Sequence, residues 1–282
     1  MKTFSLAILV FFTFFSLPLQ AQNKNAEGKL FIIGGGHRSD DLMKQLVTTA
    51  DFGPNDYIIV LPMASAEPDT GFLYVSRQLA RHTKAAIRNF NFNQHDANDP
   101  QWTDSVAGAR LIYILGGDQN RFMKSVLNTP VYAAIHAAYK RGATIAGTSA
   151  GAAVMSRYMI TGRQLRDTVY KETFDKLWDS NIEFDEGLGL LQRTIIDQHF
   201  VRRSRYNRLL SALAAKPDYT CVGIDEGTAL VVQGKKAWVA GDSQVLRFQL
   251  SKKGRQGNQD PLMLEGVQLD VYTEGHQLRI QP

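Results

Sequence analysis

A serine set among small residues, Gly147-Thr148-Ser149-Ala150-Gly151, is where chemistry is most readily read in this chain. An apolar run, Thr144 to Ala146, precedes it, and a small-residue segment, Ala150 to Met155, follows. That order predicts strand, sharp turn, helix. Flanking glycines leave room for such a turn, which exposes the central side chain. A serine so placed can be aimed at a carbonyl carbon. The N–H of Ala150, at the start of the helix, can help hold the oxyanion. Taken alone, the motif fits equally well a helix start at which small residues let helix and sheet pack closely.

A serine at neutral pH needs a base within hydrogen-bond reach. Of the six histidines, His82 and His136 lie in helical patterns, His95 in a polar loop and His276 in a carboxyl-terminal β segment. His37 and His199 follow strand-like runs. His199 is the better candidate, because polar Asp197 and Gln198 stand directly between it and an apolar strand. The competing reading is a histidine that caps the following helix. The base in turn needs an orienting acid. Asp225 and Glu226 follow the apolar run Val222 to Ile224, and alternation along an extended chain keeps both from pointing inward together. Glu226 is preferred, although the residues themselves barely separate the two. The order Ser, His, acid differs from the Ser, acid, His order of α/β-hydrolases. A second oxyanion donor is expected from Gly116-Gly117-Asp118-Gln119, where the Gly117 N–H can approach a ligand closely.

Arg203, Arg205 and Arg208 come just after His199, with Arg205 and Arg208 spaced to share a helix face. Beside a proposed base, such a cluster suits bidentate binding of a carboxylate. The alternative is a solvated helix face. Metal-binding spacings are absent from the sequence: there is no H-E-x-x-H, no C-x-x-C and no close acid triad. Gly34-Gly35-Gly36 matches neither a P-loop nor a dinucleotide fingerprint, and no cofactor is expected.

The elements that must carry these residues alternate. Strands are predicted at Leu30–Ile33, Tyr57–Leu61, Ala85–Phe90, Leu111–Leu115, Thr144–Ala146 and Thr194–Ile196. Helices are predicted at Asp40–Ala50, Phe72–Arg81, Pro130–Lys140 and Ser204–Ala215. This pattern argues for an α/β fold, a mostly parallel sheet with helices on both faces. From Cys221 onward the strand-like runs are separated by turns, which reads as an antiparallel β extension of the same domain. In an open sheet, ligands sit at the carboxyl ends of strands. The loops after Ile33, Leu115, Ala146 and Ile196 would therefore share one edge.

With 282 residues, 44% of them hydrophobic, the chain suffices for one large domain. Lys2, the apolar stretch Phe4 to Leu19 and a small residue at Ala21 read as a secretory signal peptide, giving a signal over residues 1–21 and one domain over 22–282. An exported product in the periplasm or the medium is expected, with no stable membrane anchor after cleavage. The formal charge of +5 is mild and dispersed, unlike a nucleic-acid footprint. Cys221 is the only cysteine, so no internal disulfide forms, and it is expected to lie buried in a strand.

Together the segments Gly34-Gly35-Gly36, Gly116-Gly117-Asp118-Gln119, Gly147 to Gly151, Asp197-Gln198-His199-Phe200 and Ile224 to Ala229 resemble the serine peptidase family of cyanophycinases and peptidase E. The likeness spans most of the chain from Lys29 onward. It implies a fold similar to class I glutamine amidotransferases, with Ser149 standing where those carry cysteine. It implies Ser149 as nucleophile, His199 as base and Glu226 as its partner, with no cofactor. The cyanophycinase branch is further implied by Gln119, Asp197, Gln198, Arg203, Arg205 and Arg208 as substrate-binding residues, a set the small aspartyl dipeptidases are not expected to match. The implied substrate is cyanophycin, an aspartate backbone with arginine on each β-carboxyl, cut to β-aspartyl-arginine. Acids between Asp167 and Glu186 are expected to meet its guanidinium groups, and a homodimer is implied. The competing functions are an aspartyl or isoaspartyl dipeptidase and a non-catalytic binding protein on the same scaffold.

Overall fold

The computed structural model describes residues 28–166, 169, 171, 174–257 and 260–281. The segment read as an export signal lies outside the described residues, as does Asp167. Among the described residues, five strands pair in parallel: β1 (Lys29–Ile33), β5 (Thr144–Thr148), β4 (Leu111–Ile114), β2 (Tyr57–Leu61) and β3 (Ala86–Asn89), in that spatial order. Parallel strands covered on both faces read as continuous apolar runs, as β2 and β4 do, whereas the edge strand β3, Ala86-Ile87-Arg88-Asn89, is partly exposed. Their residues alternate between two cores. Leu30, Ile32, Ile59, Leu61, Ile112, Ile114 and Ile145 enter one, while Phe31, Ile33, Ile58, Val60, Leu111, Tyr113 and Ala146 enter the other.

Helices fill both faces. α1 (Asp40–Ala50) and α2 (Pro68–Leu79) cover one core. α3 (Pro100–Gly108), α4 (Gln119–Val126), α5 (Pro130–Lys140) and the single turn α6 (Ala150–Ala153) cover the other. The start of α1 follows from its residues: Ser39 accepts a hydrogen bond from the Leu42 N–H, and Asp40 and Asp41 occupy the positive first turn. α4 lies where the sequence suggested only a glycine turn. Its N-cap is Asp118, whose carboxylate accepts from the N–H groups of Asn120 and Arg121. α3 also lies outside the helices that the pattern predicts, and Asp99 caps it in the same way.

The carboxyl-terminal strands divide between two sheets. β10 (Thr228–Gln233), β11 (Lys236–Gly241) and β14 (Gln277–Leu278) extend the main sheet, with β10 antiparallel to β1. β12 (Val245–Gly257) and β13 (Met263–Tyr272) instead join β8 (Thr194–Gln198) and β9 (Thr220–Ile224) in a second sheet. Here the single-edge expectation needs correcting, because the strands bearing His199 and Glu226 belong to this second sheet. Their apolar runs look like main-sheet strands because they too are covered on both faces. Ile196, Val222 and Ile224 join the core of the main sheet, while Ile195 and Cys221 face α7 (Tyr206–Ala215). A hairpin of β6 (Tyr158–Gln164) and β7 (Ile182–Glu186), absent from the sequence reading, stands apart from both sheets. Among the described residues no helix is long and apolar enough to cross a membrane.

Phe200 ties the second sheet to the site. It is fully buried, its ring lies 5.7 Å from that of Phe248, and a Cβ added at Gly223 would fall 2.3 Å from its Cγ. Only glycine at position 223 admits that ring. Phe200→Ala is expected to lower unfolding free energy by about 3–5 kcal/mol, measured by chemical denaturation. A loss below 1 kcal/mol would show that this packing is dispensable.

Candidate active site

The turn after β5 gives Ser149 a backbone that few residues adopt, φ 54° and ψ −112°. Both glycines of the motif are required by packing. A Cβ at Gly147 would lie 2.2 Å from the Gly151 carbonyl oxygen, and one at Gly151 would lie 2.4 Å from that of Ile114. The strained turn points the hydroxyl out of the sheet. Ser149 Oγ lies 2.8 Å from His199 Nε2, and His199 Nδ1 lies 2.5 Å from Glu226 Oε1. Hydroxyl, imidazole and carboxylate thus stand in hydrogen-bond sequence.

Asp225 and Glu226 lie past the end of β9, where the chain turns, and face different partners. Glu226 turns to His199. Asp225 Oδ1 accepts from the Arg202 N–H at 2.9 Å, and its Oδ2 accepts from Ser243 Oγ at 2.7 Å. Asp225 therefore clamps the turn behind His199 to the turn before β12. His199, at φ 49°, is held by its own N–H donating to the Gly34 carbonyl at 2.8 Å.

Gly34-Gly35-Gly36, which matched no ligand motif, has its explanation here. A Cβ at Gly34 would lie 2.2 Å from the Asp225 carbonyl oxygen. One at Gly35 would lie 2.3 Å from His199 Cε1, and one at Gly36 would lie 2.6 Å from Glu226 Oε2. The imidazole and the carboxylate occupy the space that side chains at 35 and 36 would fill. Three consecutive glycines after a strand were the available signal, but their partners lie more than 160 positions away.

Gly117, at φ 139°, sits beside the Ala64 carbonyl, where a Cβ would come within 2.1 Å. The N–H groups of Gly117 and Ala150 have no backbone acceptor among the described residues. The neighbouring Gly116 packs on Ser149, with a Cβ there 3.3 Å from that of the serine. Two unengaged N–H donors thus belong to segments that meet at the hydroxyl.

The other expected residues come to the same region and engage one another. Arg208 grips Asp197 with two hydrogen bonds, one from Nε to Oδ2 at 2.8 Å and one from Nη2 to Oδ1. Arg205 Nη1 donates to the carbonyl and side-chain oxygens of Gln198 at 2.8 and 2.7 Å. All four side chains are buried, so neither the solvated helix face nor an open clamp of three arginines describes them. Arg205 also precedes α7 rather than sharing a face of it with Arg208. Arg203 is half-buried. Gln119 Nε2 donates to the carbonyls of Ile160 and Thr161, tying α4 to the β6–β7 hairpin.

Electrostatics favour the neutral form of His199. Burial keeps its imidazole below the ordinary histidine range. The hydrogen bond to Glu226 raises it, and the charges of Arg203 and Arg205 lower it again. Cys221 is wholly buried on β9, where burial pushes its thiol far up and away from reactivity. Among the described residues no three His, Cys, Asp or Glu side chains converge as metal ligands.

A serine hydroxyl, an imidazole and a carboxylate in hydrogen-bond sequence on an α/β scaffold form the arrangement that serine hydrolases use. A family model described as peptidase family S51 matches residues 30–240. A cyanophycinase of Geminocystis herdmanii is 32% identical over 233 residues, which cover 79% of this chain and 82% of the relative. A cyanophycinase of Trichormus variabilis is 30% identical over 235 residues, 79% of this chain and 75% of that one. The crystal structure of a peptidase from an acI-B1 Actinobacterium shares the fold, with a TM-score of 0.64 at 21% identity over 90% of this chain and 97% of the other. The chain belongs to peptidase family S51 and is a peptidase of the serine hydrolase class.

Gly35→Ala should displace the His199 ring by about an ångström or more. Peptide hydrolysis is then expected to fall on the order of 10²-fold, read as kcat with the folded state checked by circular dichroism. A kcat within threefold of the parent would mean that the ring tolerates the added methyl.

Proposed function

We propose that this chain is an exported serine exopeptidase that hydrolyses cyanophycin to β-Asp-Arg dipeptides. One observation carries the reading: Ser149, His199 and Glu226 stand in hydrogen-bond sequence, in a chain whose relatives at 30–32% identity are cyanophycinases. In the proposed reaction His199 Nε2 accepts the hydroxyl proton as Ser149 Oγ attacks the backbone carbonyl carbon of an aspartyl unit. The resulting oxyanion lies between the N–H groups of Gly117 and Ala150, and Glu226 stabilises the imidazolium. His199 returns the proton to the leaving amine, which departs from an acyl-enzyme. Water then attacks the ester and gives its proton to His199, and Ser149 leaves as the alcohol.

Substrate binding follows from the same cluster. Arg203 and Arg208 meet substrate carboxylates, Asp197, Gln198 and Arg205 set their positions, and Gln119 anchors the hairpin beside them. Export rests on Lys2, the apolar run Phe4 to Leu19 and the small residue Ala21. A homodimer is the assembly proposed with it, read by sedimentation.

Purified protein should clear a cyanophycin suspension and release β-Asp-Arg, whereas Ser149→Ala should leave it turbid. Turnover of α-aspartyl dipeptides with the polymer intact would remove the cyanophycin reading and leave a dipeptidase.

The pH profile tests the base. Only neutral His199 accepts the proton, so kcat/KM should fall on the acid side, below the free-histidine value of about 6.5. Arg203→Gln removes a positive charge that disfavours the imidazolium, so the acid limb should move to higher pH. A limb that stays in place or moves lower would contradict the proposed field on His199.

A further inference from the structure

The β6–β7 hairpin carries an irregularity next to the site. Ile160 pairs with Phe184 and Gln164 with Ile182, so Thr161, Gly162 and Arg163 together face the single residue Glu183. Bulges of this kind re-aim side chains and cluster at active sites. Here the bulge concentrates contacts on one carboxylate. Thr161 Oγ1 donates to Glu183 Oε2 at 2.6 Å, and Arg163 Nη1 lies 3.4 Å from Oε1. The backbone of the bulge is fixed by Gln119, two residues beyond Gly117. On its other side, a Cβ at Gly162 would stand 3.7 Å from Arg208 Nη1, and that nitrogen has no partner among the described residues, although Arg208 is buried.

We propose that Glu183 is the specificity residue that binds the substrate's arginine side chain, with Arg163 as a resident stand-in that the substrate guanidinium displaces. This rests on the reading above for the identity of the substrate. An arginyl unit linked through its α-amino group offers a free carboxylate at one end and a guanidinium at the other. The bulge presents the complement, Arg208 on one side and Glu183 on the other. Thr161 orients one oxygen of Glu183, and a guanidinium can engage the carboxylate in bidentate fashion. Arg163 holds it weakly, since its own side chain is 76% exposed. The other described acids of the stretch offer less. Asp175 pairs with Lys171, Asp179 lies before β7 and outside the bulge, and Asp185 and Glu186 are exposed beyond it.

Binding separates this assignment from turnover. In Ser149→Ala protein, calorimetry would compare β-Asp-Arg with β-Asp-citrulline, its uncharged isostere. A preference for the arginyl dipeptide of about tenfold or more is expected, as for hydrogen bonds between charged groups. Adding Glu183→Gln should abolish that preference. Adding Arg163→Ala should instead tighten β-Asp-Arg, by removing its competitor. A preference that survives Glu183→Gln overturns the assignment, and so does weakened binding in Arg163→Ala. Polymer left uncut by protein with Ser149 intact, while β-Asp-Arg binding still depends on Glu183, would remove the cyanophycin reading and retain this one.

Discussion

Three consecutive carbonyls at the exit of β1 set the relative positions of the site's segments. Ile33 accepts the N–H of Ser149 at 3.0 Å, Gly34 that of His199 at 2.8 Å, and Gly35 that of Gly227 at 3.0 Å, next to Glu226. The peptide unit is planar and successive Cα atoms are 3.80 Å apart. Segments far apart in sequence and drawn from two sheets are therefore registered to within one residue of each other. The glycines of this exit serve two purposes. Their φ values of 118° and 68° at Gly35 and Gly36 turn the chain, and their missing side chains leave the volume that His199 and Glu226 occupy. A residue with a Cβ at either position would meet both objections at once.

The same bonds offset backbone strain. Ser149 and His199 both have positive φ, which in non-glycine residues costs on the order of 1–3 kcal/mol each. Each is held from both sides. The Ser149 N–H donates to Ile33 while its carbonyl accepts from Ala152 and Ala153; the His199 N–H donates to Gly34 while its carbonyl accepts from Arg203. The Gly147 to Gly151 motif accordingly ends a dilemma posed by the sequence. Close packing and exposure of a nucleophile looked like rival readings of it. The glycines pack so tightly that the turn has no other course, and that course exposes the serine. Packing is the means by which the hydroxyl is presented.

What could be read in the sequence follows this division between local and distant causes. Ser149 and the preference for His199 rest on local rules, a turn motif and polar residues after an apolar strand, while Asp225 and Glu226 separate at the turn after β9, where alternation along a strand no longer decides. The parallel core was legible because strands buried on both faces are apolar throughout. That property also hid the second sheet, since an apolar run such as Thr194 to Ile196 carries no mark of which strand it pairs with. The two glycines before α4 read as a turn, which masks the capping residue Asp118 and the buried face of Phe122, Met123 and Val126. The hairpin of β6 and β7 mixes polar and apolar residues across a bulge, which breaks the period that would have betrayed it.

The arginine set shows why residue types can announce a site without announcing their roles. Two guanidinium groups and one carboxylate buried together are not an efficient source of stability, since desolvation consumes most of their attraction. Their arrangement does more for His199. Asp197 and Gln198, immediately before the histidine, fix Arg208 and Arg205, while the histidine's own carbonyl fixes the backbone of Arg203. Positive charge is thereby held near an imidazole that burial already keeps uncharged, and Glu226 opposes it from the other ring nitrogen. The balance favours an uncharged imidazole, with the Glu226 carboxylate on its other ring nitrogen favouring the charged form. Arginines there act on that imidazole even with no substrate carboxylate to bind. Their presence after His199 therefore bears on the imidazole as well as on a ligand, and what distinguishes the ligand has to be sought in the neighbouring hairpin too.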